Sequence, residues 1–450
     1  MPVPVTDRVA PAGFSRPSVA GPGQRVRSVA LASLVGTTIE WYDFFLYATA
    51  SALVFNRLYF PSFDPRTGTL AAFAANAIGF LARPAGGIIA GHFGDRVGRK
   101  SMLVITLAIM GIASFCIGIL PTYAQIGAWA PALLVTLRFV QGLGVGGEWG
   151  GAVLMAIEHA PDGKRGFYGS WPQMGVPIGL ILANGSLAAF SKLPEAAFLA
   201  WGWRVPFLLS IALVAVGLFI RLRLAESPAF ARVKEERREA RVPVLDVLRE
   251  NPRGVVLSIG VQIGEKAAFY VYTTFLIFYG TAKVGLPRQT ILTGVLIGAV
   301  CMLFSLPAAG ALSDRLGRRP VYLFGAGMTA AFAYPLYRLI DTGSPSLVWL
   351  ALSIALIFAH SPLWAPSAAF QSEFFEPRVR YTGASLGAQI AAALGGGLSP
   401  IIATALLPLG RGALASQLVA MGVLTAIAVL LSAETAGHSL HADIPGFPSS

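Results

Sequence analysis

Ionisable side chains interrupt the long apolar runs of this 450-residue sequence. At membrane depth each such group costs at least about 2.5–3.5 kcal/mol, so it normally lines a polar cavity or a pathway for substrate or ions. Carboxylates in such a site can bind protons, and arginine or lysine can bind an anionic substrate. The residues concerned are Glu40, Asp43, Arg83, Arg138, Glu148, Glu265 and Lys266, with His360 as an eighth candidate.

The carboxylates are candidate proton carriers. A nearby arginine weakens the proton binding of a buried carboxylate, so a change in the Asp43–Arg138 distance would couple a proton to a transport cycle. We therefore expect Asp43 and Arg138 to carry the proton coupling, with Glu40 and Glu148 as rival carriers. The alternative is that these charges form a permanently paired structural network.

The cations and several aromatic residues are candidate substrate contacts. Arg83 and Lys266 could each bind a carboxylate, and an arginine can do so through two parallel hydrogen bonds. A helical rise of about 1.5 Å per residue places Arg83 in one layer with Glu40 and Glu148. Glu265 is the neighbour of Lys266 in sequence and therefore points about 100° away from it. The other predicted contacts, for which interhelical packing is the alternative, are Tyr42, Tyr270, Trp364 and His360.

Membrane helices must position these residues. Hydrophobic residues make up 55% of the chain and charged residues 12%, against about 25% charged in a soluble domain. This composition excludes a soluble enzyme, a disordered scaffold and a DNA-binding domain, and the basic residues behind the net charge of +12 lie in short clusters between apolar runs. A span needs about 20 apolar residues. Twelve spans are predicted, at 29–53, 70–91, 101–121, 131–156, 170–190, 204–224, 253–280, 290–311, 321–340, 346–370, 384–407 and 411–432.

The segments outside the spans complete the predicted organisation. The first apolar run is too long and too acidic for a signal peptide. Lysine and arginine concentrate in the N-terminal tail and in the loops on one side, which predicts both termini in the cytoplasm.

Cys116 and Cys301 lie in apolar runs, so neither a disulfide nor a metal site is expected. The predicted units are a disordered cytoplasmic tail (1–28), a six-helix bundle (29–224), a charged linker with a solvated amphipathic helix (225–252), a second bundle (253–433) and a cytoplasmic tail (434–450).

An internal repeat relates the two bundles. The sequence Gly91-His-Phe-Gly-Asp95-Arg96-Val-Gly98-Arg99-Lys100 recurs 219 residues later as Gly310-Ala-Leu-Ser-Asp314-Arg315-Leu-Gly317-Arg318-Arg319. Further echoes link Glu158 and Arg165 to Glu373 and Arg380, and Gln173 to Gln389. Two homologous six-span halves are the economical explanation.

Both repeated segments resemble the loop signature of the major facilitator superfamily, G-x-x-x-D-R-x-G-R-[KR], and Arg138-Phe-Val-Gln141-Gly142-Leu-Gly144 resembles its fourth-helix motif. Four finer matches are similar to the metabolite:proton symporter branch, whose members carry shikimate, 2-oxoglutarate, citrate, other dicarboxylates, or proline and betaine. These are Glu40-Trp-Tyr-Asp43-Phe44, Phe80-Leu-Ala-Arg83-Pro84, Gly146-Gly-Glu148-Trp-Gly150 and Gly169-Ser-Trp-Pro-Gln173.

The resemblance implies that the repeated segments form a latch, which closes the cytoplasmic side in the outward-open state. We expect the second helix to break at Gly91, and Asp95 to accept hydrogen bonds from the N-terminal amides of another helix. The alternative role is to set topology by positive charge alone. The predicted latch residues are Gly91, Asp95, Arg96, Gly98, Arg99, Lys100, Glu158 and Arg165 in the first half, and Asp314, Arg315, Gly317, Arg318, Arg319 and Glu373 in the second.

The sequence thus predicts an all-α integral membrane protein, with twelve transmembrane helices in two six-helix bundles that rock around a central cavity. The predicted function is secondary active transport, as proton-coupled uptake of a small organic acid or zwitterion across a bacterial inner membrane. The expected partners of this monomer are its substrate, protons and the lipid bilayer. No cofactor, metal or nucleic acid is expected, and an enzyme is disfavoured because no aqueous segment pairs a nucleophile with a base.

Two alternatives remain at this point. One is a proton-driven exporter of drugs or metabolites in the same fold, which would exclude its substrate from energised cells rather than accumulate it. The other is a membrane sensor that binds a ligand without turnover, although the tails are too short to hold a signalling domain. ATP as the energy source is disfavoured, because Gly142-x-Gly144-x-x-Gly147 lies within a span and follows no strand.

Overall fold

Long helices form the body of the protein in the computed structural model, which describes residues 22–62, 65–224, 226–235 and 242–437. The six of the first half, α1 to α6, are Pro22–Ala50, Pro65–Val97, Arg99–Ile119, Trp129–Glu158, Arg165–Phe190 and Arg204–Leu222. The six of the second half, α7 to α12, are Pro252–Ala282, Arg288–Leu316, Arg318–Asp341, Pro345–Ser372, Arg380–Leu409 and Arg411–Leu431. No strand occurs in the ranges given above.

The twelve helices confirm the twelve predicted spans, and ten of them are apolar and long enough to cross a membrane. Several helices extend beyond the predicted bounds. The first begins at Pro22, so part of the predicted disordered tail is helical, whereas residues 1–21 lie outside the described part. The predicted break at Gly91 is wrong, because α2 continues to Val97. A Cβ at Gly91 would lie 2.7 Å from the Cα of Thr382, so this glycine permits close helix packing instead.

The linker contains two short helices, Pro228–Glu235 and Pro243–Glu250, rather than the one amphipathic helix predicted. Residues 225 and 236–241 between and before them lie outside the described part, as do residues 438–450 of the predicted C-terminal tail. The second linker helix buries Val247 and packs against α2 and α11, one helix from each half.

The two halves meet along helices that approach closely. Helix α5 of the first half packs against α8 of the second, and α2 packs against α11. At the α5–α8 crossing, a Cβ on Gly166 would lie 2.4 Å from the carbonyl oxygen of Gly310, and the converse distance is also 2.4 Å. Only glycine permits this backbone-to-backbone approach at both positions.

Three helices of the second half widen into π-helical turns within their length, at Val271–Phe275 in α7, Ala355–His360 in α10 and Ala392–Gly397 in α11. Such turns shift the register of the side chains that follow them and often occur at functional sites. Here the α10 turn ends at His360, one of the predicted substrate contacts.

Candidate functional site

The repeated loop segments that were predicted to form the latch join the two halves at the end of the molecule where α2 and α8 end. Asp95, near the end of α2, accepts hydrogen bonds from the backbone amides of Tyr381 (3.3 Å) and Thr382 (2.9 Å) and from the Thr382 hydroxyl (2.9 Å). These amides lie in the first turn of α11, where the helix dipole favours an anion. The structure thus places Asp95 on the N-terminus of another helix, as the sequence predicted.

The second copy of the latch has the same geometry with the halves exchanged. Asp314, near the end of α8, accepts from the backbone amides of Gly166 and Phe167, both at 2.8 Å, in the first turn of α5. Each half therefore caps a helix of the other.

Buried ion pairs extend the first copy. Arg99 lies 3.4 Å from Asp95 and 3.7 Å from Glu158, and Arg380 of the other half contacts Glu158 at 3.2 Å. Because Glu158 binds an arginine from each half, its carboxylate bridges the two bundles.

The second copy repeats these pairs. Arg318 contacts Asp314 at 2.7 Å and Glu373 at 3.3 Å, and Arg165 of the first half lies 3.8 Å from Glu373. The structure thus brings together eight charged residues in two equivalent groups, each of which spans the interface.

The sequence analysis missed two further carboxylates of the latch. Glu226, which follows α6, accepts from the amides of Arg99 (3.1 Å) and Lys100 (3.3 Å) at the start of α3. Glu434, which follows α12, accepts from those of Arg318 (2.8 Å) and Arg319 (3.0 Å) at the start of α9. The available signal was a repeated acidic–hydroxyl pair after the last helix of each half, Glu226-Ser227 and Glu434-Thr435, whose hydroxyls donate to Glu158 and Glu373 respectively.

Glu434 lies outside the spans, and its environment changes its proton affinity. Burial raises the pKa of this carboxyl, but hydrogen bonds from the backbone amides of Ala436, Arg318, Arg319 and Thr435 outweigh burial and hold the pKa below its usual range. Glu434 therefore stays ionised, and it caps α9 with a full negative charge.

The remaining predicted latch residues take peripheral positions. Lys100 donates to the carbonyl oxygen of Leu222 (2.8 Å) and Arg319 to that of Leu430 (3.1 Å), so each tethers the end of α6 or α12. Arg96 is exposed and lies 3.3 Å from His92, and Arg315 is exposed. Gly98 and Gly317, with φ of 125° and 101°, form the turns that bring Arg99 and Arg318 into place.

A buried polar group in the first half holds the predicted coupling pair. Asp43 accepts a hydrogen bond from Ser210 at 2.8 Å. The guanidinium of Arg138 lies over the rings of Phe44 (4.8 Å) and Tyr47 (4.4 Å) and donates to Gln141 at 3.3 Å. Asp43 and Arg138 therefore occupy one buried layer of the bundle.

Glu148 has a tight partner that the sequence analysis did not single out. Arg221 of α6 binds both carboxylate oxygens of Glu148, one of them at 2.9 Å, and Thr106 donates at 3.0 Å. Arg221 also donates to the carbonyl oxygen of Leu103 at 2.5 Å. This geometry favours the alternative of a permanent structural pair for Glu148.

Glu40 is buried, yet neither of its carboxylate oxygens accepts a hydrogen bond from any residue that the structure describes. The charges that act on it are three cations, of which Lys266 belongs to the second half, and the carboxylate of Glu148. Arg83 and Glu148, which were predicted to share a layer with Glu40, are both among these charges.

Arg83 and Lys266 are buried cations of opposite halves that act on each other as like charges. Arg83 donates through Nε to Gln389 of α11 at 3.0 Å, whereas its Nη1 has no partner within the described ranges. Lys266 lies 3.1 Å from its neighbour Glu265 and 3.6 Å above the ring of Trp364. Glu265 also lies 3.4 Å from His360.

The aromatic candidates separate into two groups. Trp364, His360 and Tyr270 lie in the interface: Trp364 stacks at 6.2 Å on Trp149 of the first half, and His360 stacks on Trp364. Tyr270 packs edge-on against Phe80 of α2 at 5.3 Å. Tyr42 differs, because its hydroxyl donates to the carbonyl oxygen of Pro206 at 2.9 Å inside the first bundle, away from the interface group.

A second echo of the repeat becomes visible only in the structure. Gly179 and Gly395 are 216 residues apart, the spacing of Gln173 and Gln389. A Cβ added to Gly179 would lie 2.7 Å from the backbone nitrogen of Tyr42, and one added to Gly395 would lie 3.2 Å from that of Ala267, so Tyr42 and Ala267 are equivalent positions of the two halves. Glu40 and Glu265 lie two residues before Tyr42 and Ala267 respectively. The shared pattern is Glu-x-x-x-Phe-[Phe/Tyr]-x-Tyr, at Glu40–Tyr47 and at Glu265–Tyr272.

The twelve-helix fold with its latch and its buried charges at the interface defines a multi-pass membrane transporter of the major facilitator type. In agreement, the structure superimposes with a TM-score of 0.75 on the proton:xylose symporter XylE bound to 6-bromo-6-deoxy-D-glucose, at 18% identity over 94% of this chain and 98% of that one. This likeness shows the fold.

The chain belongs to the sugar (and other) transporter family, whose sequence pattern matches residues 29–255 and again 246–442. It is 42% identical to the inner membrane metabolite transport protein YhjE of Escherichia coli over 92% of this chain and 95% of the relative. It is also 42% identical to the E. coli shikimate transporter, over 90% and 94%, and 33% identical to the E. coli proline/betaine transporter, over 94% and 86%. These relatives confirm the predicted superfamily and a transporter rather than an enzyme.

Proposed function

We propose that this protein imports a small organic acid together with protons, as a monomer that works by alternating access in a bacterial inner membrane with both termini in the cytoplasm. The observation that carries the proposal is the presence of two buried cations, Arg83 and Lys266, one from each half, which act on each other as like charges, with Nη1 of Arg83 making no hydrogen bond in the described part of the chain. A carboxylate held between these groups would contact both halves at once.

The latch supplies the conformational part of the proposal. Its helix caps and its bridging carboxylates, Glu158 and Glu373, join the halves only at the cytoplasmic end. When these contacts are broken, the halves can rock about the central group and open it to the cytoplasm.

Asp43 and Arg138 supply the proton coupling. Asp43 is buried and hydrogen-bonded to Ser210, and Arg138 is one of the charges that act on it. Opposite charges stabilise each other most at short range, so a rocking movement that alters their separation alters the proton affinity of Asp43.

The relatives support a metabolite rather than a drug as substrate. The E. coli shikimate transporter is named for a hydroxylated carboxylate, and the proline/betaine transporters for zwitterions. The paired cations favour the carboxylate, and the ring of Trp364 that a betaine ammonium would occupy already faces Lys266.

The test uses purified protein in liposomes, with internal pH and electrical current recorded as shikimate, 2-oxoglutarate, citrate, proline or betaine is added outside. We expect proton entry with at least one carboxylate, and loss of that entry in Asp43→Asn. Glu195→Gln, a change at an exposed carboxylate that pairs with Arg57 at the outer end, is the control.

Proton entry that persists in Asp43→Asn would move the coupling site away from Asp43. Proton exit on addition of substrate inside the liposomes, without entry in the other direction, would replace import with export.

A further inference from the structure

We propose that Glu40 is the resident counter-ion of the Arg83–Lys266 carboxylate site, and that it takes up a proton when the substrate carboxylate displaces it. The inference rests on the proposed function and adds a second proton-binding residue, one that responds to substrate binding itself rather than to the rocking of the halves.

The first support is the unsatisfied state of Glu40. A buried carboxylate normally has its oxygens hydrogen-bonded, because burial removes the water that would otherwise solvate them. Both oxygens of Glu40 lack such a bond within the described ranges, whereas both oxygens of Glu148 and one oxygen of Asp43 accept one. Glu40 is therefore held by charge alone, and it can lose that charge without breaking a hydrogen bond.

The second support is the identity of the charges around Glu40. Arg83 on α2, Lys266 on α7 and Arg221 on α6 attract its negative charge, and Glu148 on α4 repels it. Arg221 is committed to Glu148, and Lys266 lies 3.1 Å from Glu265, which leaves Arg83 as the cation that depends most on Glu40 for neutralisation. Arg83 and Lys266 also act on each other as like charges, so their approach requires an anion.

The third support is the contrast with Glu265, the equivalent carboxylate of the second half. Glu265 lies 3.1 Å from Lys266 and 3.4 Å from His360, so it has fixed partners. Of the two repeat-related carboxylates, Glu265 alone forms ion pairs in the described part of the chain, although its Oε2, like both oxygens of Glu40, accepts no hydrogen bond there. A substrate carboxylate would thus compete with Glu40 and leave the Glu265 pair intact.

The charge balance gives the stoichiometry of this step. The buried group contains four cations, Arg83, Arg138, Arg221 and Lys266, and four carboxylates, Asp43, Glu40, Glu148 and Glu265. Each carboxylate that enters adds one negative charge to a low-dielectric site, where uncompensated charge is costly. One proton on Glu40 restores the balance, so one proton should be taken up for each carboxylate bound.

The test measures proton uptake on binding in the full-length protein in detergent. Calorimetric titration with shikimate, and in parallel with 2-oxoglutarate and proline, is run in two buffers of different ionisation enthalpy, which yields the number of protons taken up. For the wild type we expect about one proton for each bound shikimate, and an affinity that falls about tenfold per pH unit once Glu40 is ionised in the free protein.

The variants separate Glu40 from Asp43. Glu40→Gln should bind shikimate without proton uptake and with an affinity independent of pH, and Glu40→Asp should restore the uptake. Asp43→Asn should keep the uptake on binding even though it abolishes proton-coupled transport. The Glu195→Gln protein serves as the control, and thermal unfolding checks that each variant is folded.

Proton uptake that survives in Glu40→Gln and vanishes in Asp43→Asn would overturn the inference and leave the proposed function standing. Binding of proline without binding of either carboxylate would overturn both, since Arg83 and Lys266 would then not form an anion site.

Discussion

The latch and the buried charged group between the halves derive from the same repeat, yet the latch has kept its charged residues in both copies, whereas several positions of the buried group have diverged. Asp95, Arg99 and Glu158 have counterparts of the same residue type in Asp314, Arg318 and Glu373, with the same contacts. At the centre, the positions equivalent to Glu148 and Arg221 are Leu363 and Val429, which are buried in one apolar cluster.

The same divergence affects a further central position. At the spacing of the loop motif, Arg83 corresponds to Met302. Met302 lines a small apolar cavity of about 10 Å³ next to Phe269. The same contacts in both halves suffice for a gate between two similar bundles. Binding of an asymmetric small molecule instead requires different side chains from each half.

The largest expected effect concerns the Glu148–Arg221 ion pair, whose equivalent positions in the second half are apolar. Arg221→Val leaves Glu148 as an unpaired buried charge, which should cost about 3–5 kcal/mol of the free energy of unfolding. Glu148→Leu combined with Arg221→Val recreates the arrangement of the second half and should recover most of that loss. Thermal unfolding in detergent measures both. A double variant as unstable as the single one would contradict the equivalence, and loss of proton transport in a stable double variant would assign Glu148 a coupling role.

The next effect tests the symmetry of the latch turns. Gly98→Ala and Gly317→Ala force a side chain into positive φ and toward a carboxylate oxygen, 2.3 Å from Glu226 and 2.6 Å from Glu434. Each should lose about 1–3 kcal/mol of stability, by similar amounts. Gly127→Ala, at positive φ with open space around it, isolates the backbone contribution and should lose less. A loss of stability in only one of the two variants would show that the two copies of the turn contribute unequally to stability.

A smaller effect should appear when the helix caps lose their charge. Asp95→Asn and Asp314→Asn each remove an anion from a helix N-terminus, worth about 0.3–2 kcal/mol, and should shift the protein toward the cytoplasm-open state. Nitroxide labels on Lys164→Cys and Arg315→Cys, with the native cysteines replaced, report the widening of the cytoplasmic side by distance spectroscopy. The double variant should shift by the sum of the two, and a shift in only one single variant would count against symmetry.

The smallest effect concerns Glu434, whose pKa lies below its usual range because the backbone hydrogen bonds outweigh burial. A lowered pKa in the folded state stabilises the protein above the pKa of the unfolded chain, and this contribution is lost as pH falls through the folded value. Glu434→Gln should therefore cost about 0.3–1 kcal/mol at pH 7. The difference from wild type should shrink once the pH falls below the pKa of an unfolded glutamate, about 4.3, and should vanish below the lower pKa of the folded state. A difference that stays constant with pH would indicate a packing effect rather than a charge effect.

The sequence predicted the parts that depend on local pattern. Apolar length identified all twelve helices, and the repeated loop motif identified Asp95, with its type of partner, and Asp314. The helix bounds were too short, because charged residues such as Arg99 and Arg318 lie within helices once the latch pairs them.

The parts that depend on tertiary contacts were not predictable in this way. Arg221 stands at the end of a span, where a basic residue ordinarily marks the cytoplasmic side. Only the packing of α6 against α3 brings its side chain within reach of Glu148 on α4. Likewise, the direction of Tyr42 into the first bundle depends on the position of Pro206. The equivalence of Glu40 and Glu265 required the glycine contacts of α5 and α11 to set the register.

The stacked rings of Trp149 and Trp364 have a spectroscopic consequence. One indole belongs to each half, and their centroids lie 6.2 Å apart with planes inclined by 26°. Indoles at this separation couple electronically, and rocking of the halves must pull them apart. The near-ultraviolet circular dichroism of the unlabelled protein should therefore change with conformational state. This change would allow the movement of the halves to be followed without an attached label.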